Sequence, residues 1–406
     1  MKSTNCNLCN SLNLETVIDL GYHPCADTFI SNFNNDYGSE KTYPLRVCLC
    51  KDCGHAQLTN VVPGHERYQD TDYSYDSSNS VVSINHFKEM AKQVSDEAGL
   101  SESDLVCDIG SNIGTLLESF KSYAGCNIIG VDPSSNICEL ANKNGVSTIN
   151  DFFSINSSKK ILKQGKPKVL TATNALNHSE DVNNFFSLAK DLIDDDGFIV
   201  IEVPYLLELV KQKAFDTIYL EHVNYFAVAP MASYLSKIDL CISRIEVKEY
   251  MCGSLRMYIQ KGHKMCDDAK KLIDKENRFG LRNIKVYSDF MNVLKKLKFN
   301  LNTQLNKIKL NGGFIFGIGA ATKGNTLLNY CKIDSDLIDF ISDSSHLKIG
   351  KYSPGSHIKI ISDDDIPKNV THGLILPWNI ADYLKNKLKD LDIEFIVPIL
   401  ETNDEK

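Results

Sequence analysis

Nowhere in the 406 residues does an apolar run reach the roughly 18 residues of a membrane span, so no membrane partner is expected. The opening residues, Met1-Lys2-Ser3-Thr4-Asn5-Cys6, lack the apolar stretch of a secretory signal, and a cytoplasmic location is expected. Positive charge is scarce: 44 Lys and Arg against 52 Asp and Glu give a net charge of −8, which argues against a general nucleic-acid binder. An anionic substrate would then meet positive groups that are local and few. There is one tryptophan, Trp378, and no low-complexity tract. Nothing in the sequence points to an obligate oligomer.

Cysteine, by contrast, is plentiful. Thirteen cysteines in a chain with no export signal are read as metal ligands and buried thiols, not as a disulfide framework. Cys6-Asn7-Leu8-Cys9 and Cys50-Lys51-Asp52-Cys53 are two CxxC knuckles. Each presents two thiolates, and together Cys6, Cys9, Cys50 and Cys53 make a tetrahedral set suited to zinc. Such a set has no open position, so the expected zinc is structural. Cys48 competes with Cys50 as a ligand, His23, Cys25 and His55 stand nearby, and four buried free thiols are the alternative. Gly54 follows the second knuckle, where a left-handed residue is often needed.

The length suggests two or three domains. Expected boundaries are a zinc-binding domain over 1–70, a central domain over 71–265, and a C-terminal domain with a leading helical segment over 266–406. The segment Tyr73-Ser74-Tyr75-Asp76-Ser77-Ser78-Asn79-Ser80 reads as a polar, aromatic junction, followed by a helical pattern over Ile84–Ala98. From Leu105 strands alternate with helices: Leu105–Ile109, Asn127–Val131, Val169–Thr173 and Gly197–Val203. Asp267–Ile308 is helical in period. A second strand–glycine–helix unit opens at Gly313–Ile318 and continues with Leu337–Ser342 and Leu374–Leu376. The expected fold class is α/β, with two doubly wound Rossmann-like domains and a small zinc-binding domain at the N-terminus.

The turn after the first of these strands carries the chemistry. In Asp108-Ile109-Gly110-Ser111-Asn112-Ile113-Gly114 a strand ends near an acid, and a small-residue turn opens a helix. Such a turn lets a ligand approach the backbone at the carboxyl edge of a sheet. Asp132, 24 positions after Asp108, ends the next strand, where an acid can hold ribose hydroxyls. Asp151 and Phe152 lie one unit further and could meet an adenine. Asn174, just past Val169–Thr173, completes the expected cofactor-binding set of Asp108, Gly110, Ser111, Asn112, Gly114, Asp132, Asp151, Phe152 and Asn174. The turn alone fits a methyltransferase, a nucleotide-dependent oxidoreductase or a structural turn.

A second cluster, Tyr219-Leu220-Glu221-His222, places a phenol, an acid and an imidazole within four positions. A histidine so placed can act as general base toward a carbon acid; a hydrogen-bonded core histidine is the other reading. Near the C-terminus, Gly317-Ile318-Gly319-Ala320-Ala321-Thr322-Lys323-Gly324 could cradle a phosphate, with Asp343 near a ribose-acid position. Binding of a substrate's diphosphate or ribose and a purely structural turn are equally open there, and the loop keeps an NAD-dependent sugar-nucleotide oxidoreductase as the alternative.

Taken in order, these segments resemble one family along the whole chain. They are the paired cysteines with Tyr43-Pro44-Leu45-Arg46, the junction Tyr73–Ser78, the turn Ile109–Leu116, Phe215–His222, Gly253-Ser254-Leu255-Arg256, Gly319–Thr326, Pro354–His357 and Leu376-Pro377-Trp378-Asn379. The chain resembles the nucleotide-sugar C-methyltransferases that methylate carbon 3 of a 4-keto deoxysugar. The resemblance implies S-adenosylmethionine as donor and a nucleotide-diphosphate sugar as substrate. It implies that His222 removes the proton alpha to the ketone, that Glu221 and Tyr219 orient it or bind the sugar, and that Tyr75, with Tyr73 as the alternative, lines the active site. Asp108 stands where the family often has Glu, Ile113 where Asp is usual, Leu220 where His is common, and Met251-Cys252-Gly253 where His-Gly-Gly is expected.

Overall fold

The computed structural model describes residues 4–31, 40–70, 72–78, 80–262 and 264–398. Met1–Ser3 of the N-terminal reading, residue 71 of the domain boundary and Asn79 of the junction lie outside the described residues. Among those described, no helix is long and apolar enough to cross a membrane. The chain divides into two compact units, one of Met1–Glu15, Cys48–Glu208 and Val223–Arg282, the other of Thr16–Val47, Leu209–His222 and Asn283–Lys406.

The first unit is built on a seven-stranded sheet. Its order is Leu240–Lys248, Ser254–Lys261, Phe198–Pro204, Val169–Thr173, Leu105–Ile109, Asn127–Asp132, Thr148–Asn150. The last five run parallel; Ser254–Lys261 pairs antiparallel with Phe198–Pro204, and Leu240–Lys248 pairs antiparallel with Ser254–Lys261. All residues of Leu105–Ile109 and Phe198–Pro204 are buried, as expected of strands covered on both faces. One cover is the helix Val81–Ala98, whose Phe87, Met90, Ala91 and Val94 pack with Leu117 and Phe120 of the helix Thr115–Ala124 against Val106 and Val169. Spacings of three and four put those side chains on one helix face. Gly99, left-handed at φ 57°, ends the first helix. Strand order reverses between Leu105–Ile109 and Val169–Thr173. The turns that leave these two strands therefore flank the switch point, where doubly wound sheets bind ligands.

The second unit holds a five-stranded, all-parallel sheet in the order Ile360–Ser362, Ile341–Asp343, Ile315–Ile318, His372–Ile375, Glu394–Ile396. It too is doubly wound, reversing beside Ile315–Ile318. The helical stretch expected over Asp267–Ile308 is two helices, Asp267–Phe279 in the first unit and Ile284–Leu310 in the second. Gly280, left-handed at φ 78°, stops the first, and Asn283 starts the second by accepting the Lys285 N–H at 3.0 Å. The strand expected from Leu337 begins only at Ile341, because the Leu337 and Ile338 amides are bonded back to the Asp334 carbonyl in a turn.

Candidate metal centre and candidate active site

Both knuckles turn their thiols to one point. Cys6 Sγ lies 3.5 Å from Cys53 Sγ and Cys9 Sγ 3.6 Å from Cys50 Sγ, and all four sulfurs fall within 4.8 Å of one another. The backbone sets this up: Asn10 after the first knuckle and Gly54 after the second are left-handed, at φ 61° and 85°. The Gly54 N–H also closes the second knuckle onto the Cys50 carbonyl at 2.8 Å. The Cys53 contact holds the Cys6 thiol well below its usual range. Cys48 takes no part; its thiol donates to the Gln57 carbonyl at 3.4 Å. The donor set fits zinc, and four sulfurs close it, so the metal is structural. Behind the site, Gln57 Oε1 accepts the Asn7 N–H at 2.7 Å, and Asn224 Oδ1 bonds the Asn7 amide at 2.8 Å and His55 Nε2 at 3.1 Å. Supports of this kind orient first ligands.

The turn after Leu105–Ile109 alternates left-handed residues: Gly110 at φ 71°, Asn112 at 52° and Gly114 at 90°. A Cβ on Gly110 would stand 2.7 Å from the Ala175 methyl, and one on Gly114 2.6 Å from Val146. Glycine is therefore needed at both for conformation and for space. Asp132 braces the turn, with Oδ2 accepting the Asn112 N–H at 3.0 Å and Oδ1 the Ser134 N–H at 2.9 Å. Asp108 is buried beneath, accepting the Thr171 hydroxyl at 2.6 Å. Burial raises its carboxyl to about 7 against the Thr171 bond, and the charge of Asp132 adds to the rise. Burial pushes Asp132 up as well. Ser111 Oγ and Asn174 Oδ1 are buried with no hydrogen-bond partner among the described residues. Asn174 is itself left-handed at φ 51°. Asp151 donates its N–H to the Asp132 carbonyl at 3.1 Å, and the Phe152 ring lies beside Gly64.

Tyr75 also belongs to this first unit: its carbonyl accepts the Asn112 amide at 3.0 Å. Tyr219, Glu221 and His222 belong to the second unit. There the Tyr219 ring lies 3.8 Å from the His222 ring, centroid to centroid. His222 Nδ1 donates to the Thr217 carbonyl at 2.8 Å. That bond fixes the tautomer, putting the basic lone pair on Nε2. Burial lowers the imidazole to about 3, so it is neutral at pH 7. Glu221 Oε1 accepts the Asp27 N–H at 3.0 Å. In the same unit the glycine turn near the C-terminus is satisfied from within. The Ala320 N–H donates to Asp343 at 2.6 Å and its carbonyl accepts Lys348 Nζ at 2.8 Å. Trp378 Nε1 donates to Asp216 at 2.8 Å, and Lys323 lies 3.8 Å from the same carboxylate.

Two groups in the first unit were not singled out from the sequence. Asn177 is 1% exposed, and neither atom of its amide has a partner among the described residues; beside it, His178 Nδ1 and the Tyr68 hydroxyl are 2.5 Å apart. Their position after Val169–Thr173, at the switch point, was the available signal. The other is an ion triad inside the sheet, with Glu202 bonded to His86 at 2.5 Å and Arg256 at 2.6 Å. Burial raises the Glu202 carboxyl, but His86 and Arg256 outweigh it and hold it low. A glutamate in the middle of an otherwise apolar strand was the sign of it.

Burial raises both Asp108 and Asp132 at this turn, and a positive charge beside them would favour their ionised forms. The class that fold and turn define is a S-adenosylmethionine-dependent methyltransferase that also carries a structural zinc. Three families match along the chain: "Putative zinc binding domain" over residues 6–68, "Methyltransferase domain" over 84–242 and "C-methyltransferase C-terminal domain" over 249–399. The chain is similar to the C-methyltransferase NovU of Streptomyces niveus, at 29% identity, with 98% of this chain and 95% of that protein covered. Among solved structures, it is similar to the magnesium protoporphyrin IX methyltransferase of Synechocystis PCC 6803 at 14% identity, with 44% of this chain and 79% of that chain covered and a TM-score of 0.33. It is also similar to a S-adenosylmethionine-dependent methyltransferase from Clostridium acetobutylicum ATCC 824, at 14% identity, 44% and 92% coverage and a TM-score of 0.35. The chain therefore carries a match to each of these three domains, in this order.

Proposed function

We propose that the substrate is a nucleotide-linked 4-keto deoxysugar, methylated at the carbon alpha to the ketone, with carbon 3 the expected position. The observation that carries the reading is the tautomer of His222: its Nδ1 donates to the Thr217 carbonyl, which leaves the Nε2 lone pair to accept a proton. On this reading Nε2 takes the alpha proton and the electron pair of the broken C–H bond moves onto the ketone oxygen. The enolate charge then favours the imidazolium, offsetting the burial that lowers its basicity. Glu221, Tyr219 and Tyr75 hold the sugar or orient the base. Asp108, the turn Gly110–Gly114, Asp132, Asp151, Phe152 and Asn174 hold the donor, which supplies an electrophilic methyl group when bound. The expected domains over 1–70, 71–265 and 266–406 divide metal binding, donor binding and sugar-nucleotide binding among them, in the cytoplasm.

The test is to incubate the protein in deuterium oxide with a thymidine-diphosphate-linked 4-keto-6-deoxysugar and no donor. The wild type is expected to exchange the alpha proton, and His222→Ala to slow that exchange at least 100-fold while binding S-adenosylhomocysteine normally. Equal exchange by both proteins would remove His222 from the reaction.

A further inference from the structure

The junction segment 72–78 has no regular secondary structure, so its peptide groups must find partners elsewhere. Two asparagine side chains supply them. Asn112 Oδ1 accepts the Ser77 N–H at 3.0 Å, and its Nδ2 donates to the Tyr75 carbonyl at 3.0 Å. Asn136 repeats the arrangement one step back, with Oδ1 accepting the Tyr73 N–H at 3.2 Å and Nδ2 donating to the Tyr73 carbonyl at 3.0 Å. A third link joins the Ser77 and Thr115 hydroxyls at 2.9 Å.

Both asparagines are themselves tied to the donor cradle. Asn112 belongs to the turn, and its N–H donates to Asp132. Asn136 lies in the first turn of the helix Ser135–Lys143, whose N-cap Ser134 donates to the other oxygen of Asp132. One carboxylate therefore braces both clasps. The backbone at 112 is left-handed at φ 52°, which glycine would adopt with less strain. Asparagine tolerates the conformation and adds a side-chain amide, whose donor and acceptor can bond a passing strand as a peptide group does.

We propose that Asn112 is a positioning residue. With Asn136 it clasps the Tyr75 segment to the donor cradle, so that filling the cradle orders Tyr75. The inference rests on the donor-binding reading above. In this arrangement the donor, once bound, stiffens the turn and the segment follows through two amides. Tyr75 is thereby held most firmly when the cradle is filled.

Hydrogen exchange read by mass spectrometry on the full-length, zinc-loaded protein tests it, with S-adenosylhomocysteine as probe. Wild-type protein saturated with the probe is expected to slow exchange over residues 73–78 at least tenfold. Asn112→Gly keeps the left-handed backbone and deletes the amide. Saturated with the probe, as shown by calorimetry, it is expected to lose that slowing over 75–78. Wild-type levels of slowing in saturated Asn112→Gly would overturn the proposal, as would a saturated wild type with no slowing. If Asn112→Gly fails to fold or to fill, Asn136→Ala decides, since it leaves the turn untouched. It is expected to exchange at least tenfold faster at Tyr73 and Ser74 with the probe bound, and an unchanged rate would overturn the clasp. A wild type that does not bind S-adenosylhomocysteine at all would fail at an earlier step, taking down the donor-binding reading and this inference with it.

Discussion

Asp108 is a carboxyl that the fold keeps partly protonated at neutral pH, with burial holding it at about 7. On the proposed role of Asp108 in holding the donor, a cationic group needs the ionised form, so binding would expel the proton. Affinity for S-adenosylhomocysteine is then expected to rise by up to about tenfold per pH unit below 7 and to level off above it. Calorimetry at pH 6 in two buffers of different ionisation enthalpy would show the released proton, and Asp108→Asn should bind more weakly with the dependence flattened. The same group acts on the unliganded fold with a definite sign. Its folded value lies above the ordinary 3.8, so its contribution to stability is fully present below about pH 4 and is lost as pH rises through 7. Asp108→Asn is therefore expected to raise the melting temperature of unliganded protein at pH 8. A second residue, Cys252, sits at φ 68° between Met251 at 51° and Gly253 at 99°. A side chain in that region costs about 1–2 kcal/mol. Cys252→Gly should therefore shift the denaturant midpoint upward, and a lower midpoint would mean that packing of the buried thiol outweighs the strain.

At the scale of elements, the two knuckles are short turns whose four thiols converge on one point, and metal closes them. A structural zinc contributes on the order of 10 kcal/mol to folding of the segment that binds it. Replacing Cys6 and Cys9 together by Ser is expected to abolish the one zinc per chain measured by elemental analysis. It should also make the segment around residues 4–15 and 48–58 susceptible to protease. Full zinc content in that double variant would reject the assigned ligand set. The knuckles were legible because paired cysteines are rare, and Cys48 was separated from Cys50 only by seeing its thiol turned to Gln57. Strands such as Leu105–Ile109 and Val169–Thr173 matched their expected limits because apolar runs bounded by glycine or charge define buried parallel strands. The break at Gly280 was hidden inside a charged helical period. The Glu202–His86–Arg256 triad joins three elements distant in sequence; Glu202 in its apolar strand marked a buried acid, and nothing local named its partners. Likewise His222 stood out by its neighbours in sequence, but Thr217, a backbone carbonyl with no signature in the side chains, fixes its proton.

For the whole molecule, the sequence left two glycine turns competing for the role of nucleotide site, and their local chemistry now differs. At the turn at Gly110, Ser111 Oγ has no partner among the described residues, and burial raises both Asp108 and Asp132. The turn at Gly317 has its Ala320 amide and carbonyl engaged by Asp343 and Lys348, so a pyrophosphate would have to displace bonds already made. A ligand that binds only the folded chain stabilises it by about 2.7 kcal/mol at a concentration 100 times its dissociation constant. S-adenosylhomocysteine at that excess is expected to raise the melting temperature by a few degrees, and Asp132→Ala to remove most of the shift at the same concentration. NADH, tested to millimolar concentration, is expected to give none. A shift with NADH that survives Asp132→Ala but disappears in Asp343→Ala would place a dinucleotide on the second turn. The chain would then be read as binding two nucleotides, one at each doubly wound sheet.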